Sequence, residues 1–268
     1  MDSGARIEVQ VRVDRERREA TIDFTGTSDK SPLNYNAPFA VCRAVVLYIF
    51  RTLVDNPIPL NEGCFKPLTI VAPAGSMINA EFPSAVIAGN TEVSQAMCNA
   101  VYGALGVIAG SQATMNNFVW GNERLQNYET ICGGSGAGPD FNGCSAIQTH
   151  MTNTRSTDPE VLEWRFPVQV DEFSIRHGSG GQGRYSGGSG ITRKVRFLES
   201  MTVTVICGHR RVPPFGVNGG EPGDVGKEWV ERANGDRVAL QGIDAIDVEP
   251  GDVFVMQTPG GGGYGRPV

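Results

Sequence analysis

Glycine constrains this chain more than any other residue. It supplies 35 of 268 positions, against a usual share of ~7%. The glycines gather in runs, at 133–138, 178–190, 219–223 and 260–265. The runs have no fixed period, which argues against a collagen repeat, and the chain is 40% apolar, which argues against a linker. Clustered glycine beside enough apolar residues for a core means tight turns and close approach of backbones. The last run, Pro259 to Gly265, reads as too flexible to end a core and too specific in sequence to be a generic tail.

Periodicity supplies the elements between these runs. Ala5 to Val13 alternates, with Ile7, Val9, Val11 and Val13 on one face, and Ala20 to Phe24 returns as the second strand of a hairpin. Phe39 to Val54 reads as a buried helix stopped by Asp55-Asn56-Pro57, and Leu68 to Ala72 as a short strand. Asn90 or Thr91 caps a second helix that ends near Gly110, with Val93, Met97, Val101, Leu105 and Ile108 in its apolar stripe. From Phe118 the chain turns β-rich. Strands are expected over Thr130 to Cys132, Ser145 to Thr149, Val168 to Arg176, Ile191 to Phe197, Met201 to Cys207, Glu228 to Glu231, Arg237 to Leu240 and Val253 to Thr258. Ala233-Asn234-Gly235-Asp236 is a hairpin turn. Two buried helices in the first half and a β-rich second half with glycine-rich loops make an α+β fold. The chain reads as one compact unit, 1–268, with any sub-boundary falling near 115 between a mixed α/β part and a mostly β part.

A net charge of −6 with acids and bases interspersed argues against nucleic acid or an anionic membrane as partner. No apolar run reaches the ~20 residues a membrane helix needs, and no secretory leader opens the sequence. Six cysteines, at 42, 64, 98, 132, 144 and 207, form no Cys-x-x-Cys pair. They read as buried free thiols in a reducing cytosol, with a zinc site or a catalytic cysteine as the lesser reading.

One polar stretch stands apart. Between Thr149 and Pro167 lie His150, Asn153, Arg155, Asp158, Glu160, Glu163 and Arg165, framed by glycine runs on both sides. Within it, Asp158-Pro159-Glu160 reads as a helix start, with a capping carboxylate, a proline at the first helical position and an acid at the positive end of the dipole. Gly178-Ser179-Gly180-Gly181-Gln182-Gly183 fits the dinucleotide pattern formally, but no helix follows to receive a pyrophosphate. No ATP cradle of the Gly-x-x-x-x-Gly-Lys-Ser/Thr type is present. The histidines at 150, 177 and 209 lack metal-ligand spacing, so a metal site would need Glu129 or Asp158 folded onto His150. Glu129 is either a base or water-orienting group or a hydrogen-bonded carboxylate at a strand end. Arg155, Arg165 and Arg184 are fork donors for a carboxylate or phosphate, or salt-bridge partners.

The stretch Thr149-His150-Met151-Thr152-Asn153-Thr154-Arg155, followed by Asp158-Pro159-Glu160-Val161-Leu162-Glu163, resembles the hydantoinase B/5-oxoprolinase family. So do Asp23-Phe24-Thr25-Gly26-Thr27-Ser28, Asn36-Ala37-Pro38, Gly89-Asn90-Thr91-Glu92, Tyr128-Glu129-Thr130 and Gly133-Gly134-Ser135-Gly136-Ala137. The run at 178–190, Gly219-Gly220-Glu221-Pro222-Gly223 and Thr258-Pro259-Gly260-Gly261-Gly262-Gly263-Tyr264-Gly265 complete the resemblance, all in the family's order.

The resemblance implies ATP-dependent opening of a cyclic amide, 5-oxo-L-proline or a hydantoin, by an oligomeric cytoplasmic enzyme. An A-type ATPase partner, using ATP with magnesium, phosphorylates the ring carbonyl oxygen, and the B-type part handles the activated intermediate. The family's B-type chain extends upstream of Asp23-Phe24, where a histidine/aspartate segment binds a divalent metal. The sequence is therefore expected to be the C-terminal region of a B-type chain, inactive alone. Glu129, His150, Asn153 and Arg155 carry over as candidate catalytic residues. Backbone N–H groups of Gly133, Gly134, Ser135 and Gly136 carry over as candidate donors to substrate or phosphate. Two other readings remain: an interface region without catalytic residues of its own, and a part of an ATP-dependent carboxylase resembling the acetone carboxylase alpha subunit.

Overall fold

The computed structural model describes residues 1–267. They form two compact units, the first running to Ile108 and the second beginning at Ala109.

In the first unit, β1 (Gln10–Asp14) and β2 (Glu19–Asp23) make the expected antiparallel hairpin, and β3 (Leu68–Val71) adds to β2 in parallel. The first strand is shorter than its alternation suggests. Residues 5–9 stay outside the ladder, where the Arg6 and Glu8 amides bond the Ser28 and Thr27 hydroxyls, and Val13 is exposed. Helix α1 (Phe39–Thr52) buries Cys42, Val45, Val46 and Ile49, the i, i+3, i+4, i+7 stripe of a helix pressed on one face. Helix α2 (Ser94–Leu105) packs against it and is preceded by a π-helical turn at Gly89–Val93. It stops before Gly110 because Gly106 takes a left-handed conformation (φ 69°), which closes the helix by a C-terminal cap.

The second unit is a sandwich of two antiparallel sheets. One has the order β11-β8-β4-β5, from β4 (Asn117–Gly121), β5 (Gln126–Thr130), β8 (Met201–Ile206) and β11 (Ile243–Val248). The other has the order β10-β9-β12-β7-β6, from β6 (Val168–Ile175), β7 (Ile191–Phe197), β9 (Lys227–Glu231), β10 (Arg237–Leu240) and β12 (Val253–Gln257). Phe118 of β4 stacks on Phe254 of β12, with ring centroids 4.4 Å apart. Trp120 meets Phe197 edge-on at 5.8 Å. These aromatic pairs join the inner faces, where Val195, Val203, Val205 and Val230 fill the core. Helix α3 (Pro159–Arg165) begins as expected. The Asp158 carboxylate accepts from the Glu160 and Val161 amides, Pro159 takes the first position, and Leu162 points inward.

Strands β4, β5 and β11 complete the sheet that the sequence left short; the strand expected over Thr130 to Cys132 lies earlier, as β5, and ends at Thr130. Conversely, Ser145 to Thr149 forms no strand and contributes one bridge, between Ile147 and Gly133. The cause is the glycine layer. Segments 133–138, 143–147, 178–190, 216–226 and 258–265 lie side by side, bonded amide to carbonyl: Gly188 to Ser135, Gly261 to Gly188, Gly181 to Gly261, Ala137 to Gly262 and Gly263 to Glu221. A Cβ added to Gly134, Gly188 or Gly261 would land on backbone atoms of the neighbouring segment. None of these three has a positive φ, so glycine serves here for space rather than for conformation. The expectation that 259–265 is too flexible to end a core is corrected by this packing. Thr258 and residues 259–263 are buried, locked by segments on either side.

Gly261→Ala is expected to lower unfolding free energy by at least the ~3 kcal/mol at the upper end of ordinary overpacking, because its obstacles, Ser135 O and Gly136 N, are backbone. Gly235→Ala has open space and carries only the strain of its left-handed φ (94°), roughly 1–2 kcal/mol. Urea unfolding followed by tryptophan fluorescence separates the two. Equal losses would contradict the space argument.

Candidate functional site

The polar stretch following β5 becomes a strap across the end of that strand. Gln148 Nε2 donates to the carbonyl (2.9 Å) and the hydroxyl (3.1 Å) of Thr130. The Thr130 and Thr154 hydroxyls are bonded to each other, and the Thr157 amide donates to Glu129 Oε1 at 3.3 Å. The strap, residues 148–157, is thus fixed at both ends and at Thr154 between them. Asn153 and Arg155 lie between these fastenings, exposed, and neither makes a hydrogen bond or ion pair with the described residues. An arginine fork and an amide without internal partners are available to an outside ligand.

His150 sits in the strap with φ 49°, a left-handed conformation uncommon for a side-chain-bearing residue, and is half-buried. Burial pushes its imidazole down to about 4, so it is neutral at pH 7. The other histidines differ. His177 is exposed, and His209 holds its Nδ1 2.6 Å from the Val212 carbonyl oxygen.

Glu129 is not an open carboxylate. It is buried, and Arg193 Nη2 reaches both its oxygens, at 3.2 and 2.9 Å. Of the two sequence readings, the geometry matches the hydrogen-bonded carboxylate at a strand end. It is brought to the strap but faces inward, away from the position a base acting on bulk-exposed substrate would take. Arg193 was missed in the sequence, although a signal was there. Ile191, Arg193, Val195 and Phe197 share one face of β7, and a charge in that apolar series must find a buried partner.

The amides of the 133–136 loop all have partners within the chain. The N–H groups of Gly133, Gly134 and Ser135 donate to the carbonyls of Ile147, Pro259 and Cys144, and that of Gly136 to the Ser111 hydroxyl at 3.0 Å. Three of these bonds stay within the glycine layer and the fourth goes to Ser111. Among the described residues no group of three or more His, Cys, Asp or Glu side chains could hold a metal ion. Asp158, the other carboxylate considered for His150, caps α3. The cysteines are all free thiols. Four are buried, with Cys42 pushed up to about 12 by burial, while Cys64 is half-buried and Cys144 exposed.

Residues 1–267 match the family described as hydantoinase B/oxoprolinase. The chain belongs to that family. It is 43% identical over 266 residues to a 5-oxoprolinase of Dictyostelium discoideum, covering 99% of this chain and 21% of that protein. A 5-oxoprolinase of Saccharomyces cerevisiae is 42% identical over 285 residues, covering 99% and 22%. The chain thus spans about a fifth of the length of these relatives. The hydantoinase B fold recurs in an ATP-dependent caprolactamase from Pseudomonas jessenii, with a TM-score of 0.83, 23% identity and coverage of 97% of this chain and 49% of that one. Acetone carboxylase in its nucleotide-free state gives a TM-score of 0.84 at 18% identity, covering 96% and 41%. Among the described residues no helix is long and apolar enough to cross a membrane.

His150 gives this family member a pH signature. Unfolded, the imidazole protonates near its ordinary value of 6.5; folded, it stays neutral to about 4. Between those values the unfolded state binds more protons, so stability falls as pH falls through that window. His209, also lowered chiefly by burial, acts in the same direction. His150→Asn keeps a residue that tolerates left-handed φ and should show a smaller loss of stability between pH 7 and pH 5 than the parent in paired urea titrations.

Proposed function

We propose that this chain is the C-terminal region of a hydantoinase B-type subunit, working within an ATP-dependent hydrolase that opens 5-oxo-L-proline or a hydantoin. The observation that carries this reading is the family match along residues 1–267, with 5-oxoprolinases above 40% identity along nearly the whole chain. An A-type ATPase partner, with ATP and magnesium, activates the ring by phosphorylating its carbonyl oxygen. A lactam carbonyl is a poor electrophile, and the phosphoryl group makes its carbon open to water. The intermediate presents anionic oxygens. Arg155 and Asn153, exposed and without internal partners, bind those oxygens or the substrate carboxylate. Neutral His150 takes a proton from the attacking water or orients it.

A second reading is favoured by the spent glycine amides and the closed Glu129. Here the second unit is a rigid wall and interface, and the chemistry lies elsewhere in the enzyme.

The test uses the full-length B-type chain with its A-type partner, ATP and a magnesium salt, and offers 5-oxoproline, hydantoin and N-methylhydantoin side by side. One ring compound should drive ATP cleavage. Arg155→Ala should lower kcat/KM for it by roughly 10–150-fold, the worth of a charge-assisted hydrogen bond, with assembly unchanged on size-exclusion chromatography. Wild-type kcat/KM in that variant sinks the binding role, and loss of assembly supports the wall. Bicarbonate-dependent ATP use without ring opening would point to carboxylase chemistry.

A further inference from the structure

Two ion pairs among the described residues are buried on both sides, Glu129–Arg193 and Arg210–Glu228. The first is poorly made as a device for stability. Arg193 spends Nη2 on the carboxylate, while its Nε and Nη1 are buried without an acceptor. The Phe173 ring covers the guanidinium, 4.9 Å away. A buried pair with unsatisfied donors is a poorer stabiliser than apolar side chains of the same volume. What the pair does provide is a fixed point. Glu129 Oε1 accepts the Thr157 amide, and the neighbouring Thr130 holds Gln148 and Thr154.

We propose that Arg193 is a positioning residue. From the opposite sheet it fixes the Glu129 carboxylate, the carboxylate fixes Thr157, and the strap so held presents Asn153 and Arg155 in one geometry. Without the guanidinium, Glu129 is a buried carboxylate with no counter-charge to hold it in place, and Thr157 loses its fixed acceptor. The inference rests on the substrate role of Arg155, and its test separates the two.

The full-length B-type chain with its A-type partner carries Glu129→Met and Arg193→Met together, which replaces the pair by apolar side chains. Hydrogen exchange of the 149–157 amides should quicken at least tenfold while exchange in β7 is unchanged. Turnover of the ring substrate should fall roughly 10–100-fold in kcat/KM, the scale of a small misplacement of binding groups. Arg155→Ala added to this background should cost far less than it does alone, because the strap is already loose. Arg193→Lys, which keeps a charge beside Glu129, should recover part of the protection and part of the rate. If the double variant fails to fold, Arg193→Lys and Glu129→Gln carry the same comparison. Unchanged exchange at 149–157, or losses that simply add to that of Arg155→Ala, would overturn the proposal. If Arg155→Ala alone is silent, the substrate role of Arg155 fails instead, and the exchange measurement still decides whether Arg193 holds the strap.

Discussion

The structure of the second unit depends on backbones touching backbones. Where most cores are filled by side chains, the end of this sandwich is filled by glycine segments whose amides and carbonyls bond one another. Burying so much main chain is tolerable only if each polar group is paired, since an orphaned amide costs about as much as a lost hydrogen bond. The pairing is dense: the Gly261 amide donates to Gly188, whose amide donates to Ser135, whose amide donates to Cys144. This explains why the runs show no period. Most glycines of the runs mark a crossing with another segment's backbone, and the crossings follow the three-dimensional layout rather than a repeat.

The layer also explains where charge is placed. The glycine segments continue directly from one end of the sheets: β5 leads into 133–138, β6 into 178–190 and β12 into 258–265, and 216–226 leads into β9. At that end an inner side chain meets backbone polarity rather than the aromatic core. Glu129, Arg193 and Glu228 all occupy inward positions there. Arg210 bonds the Asn116 side-chain oxygen (2.9 Å) and the Gly208 carbonyl (2.6 Å) as well as Glu228. Farther along the same strands the inward residues are Val195, Phe197 and Val230. The sandwich is therefore graded, apolar at its middle and ionic where it meets the glycine layer.

This grading decides what could be read from the sequence. Strands β7 and β10 matched expectation to the residue, because alternation or a turn bounded them locally. The Asp158 cap was equally legible, since the chemistry of a helix start lies within three residues. The α+β class followed from element order alone. The fate of the glycine runs was not legible. Gly133 to Gly136 look alike whether their amides face a phosphate or another segment, and only the layout assigns Ile147, Pro259, Cys144 and Ser111 as acceptors. The same holds for Glu129, whose partner lies 64 residues away on another sheet. The strap was visible as a polar cluster, but which of its residues are fastened depended on Thr130 and Glu129, which bond Gln148, Thr154 and Thr157.

A site presented this way differs from one made of glycine amides. A phosphate loop offers backbone donors and needs a gap in the chain's own bonding. Here the bonding has no such gap in 133–136, and the donors left over are side chains on a tethered segment. Long side chains carry rotamer entropy that binding must remove, up to ~2 kcal/mol for arginine. Fixing the backbone on both sides of Arg155 leaves only that side-chain share to be lost on binding, because the segment itself is already ordered by Thr154 and Thr157. A layer whose amides are paired within the chain and a strap fastened at Thr130 and Glu129 are two parts of one arrangement, in which the backbone on both sides of Arg155 is ordered by the chain's own bonds.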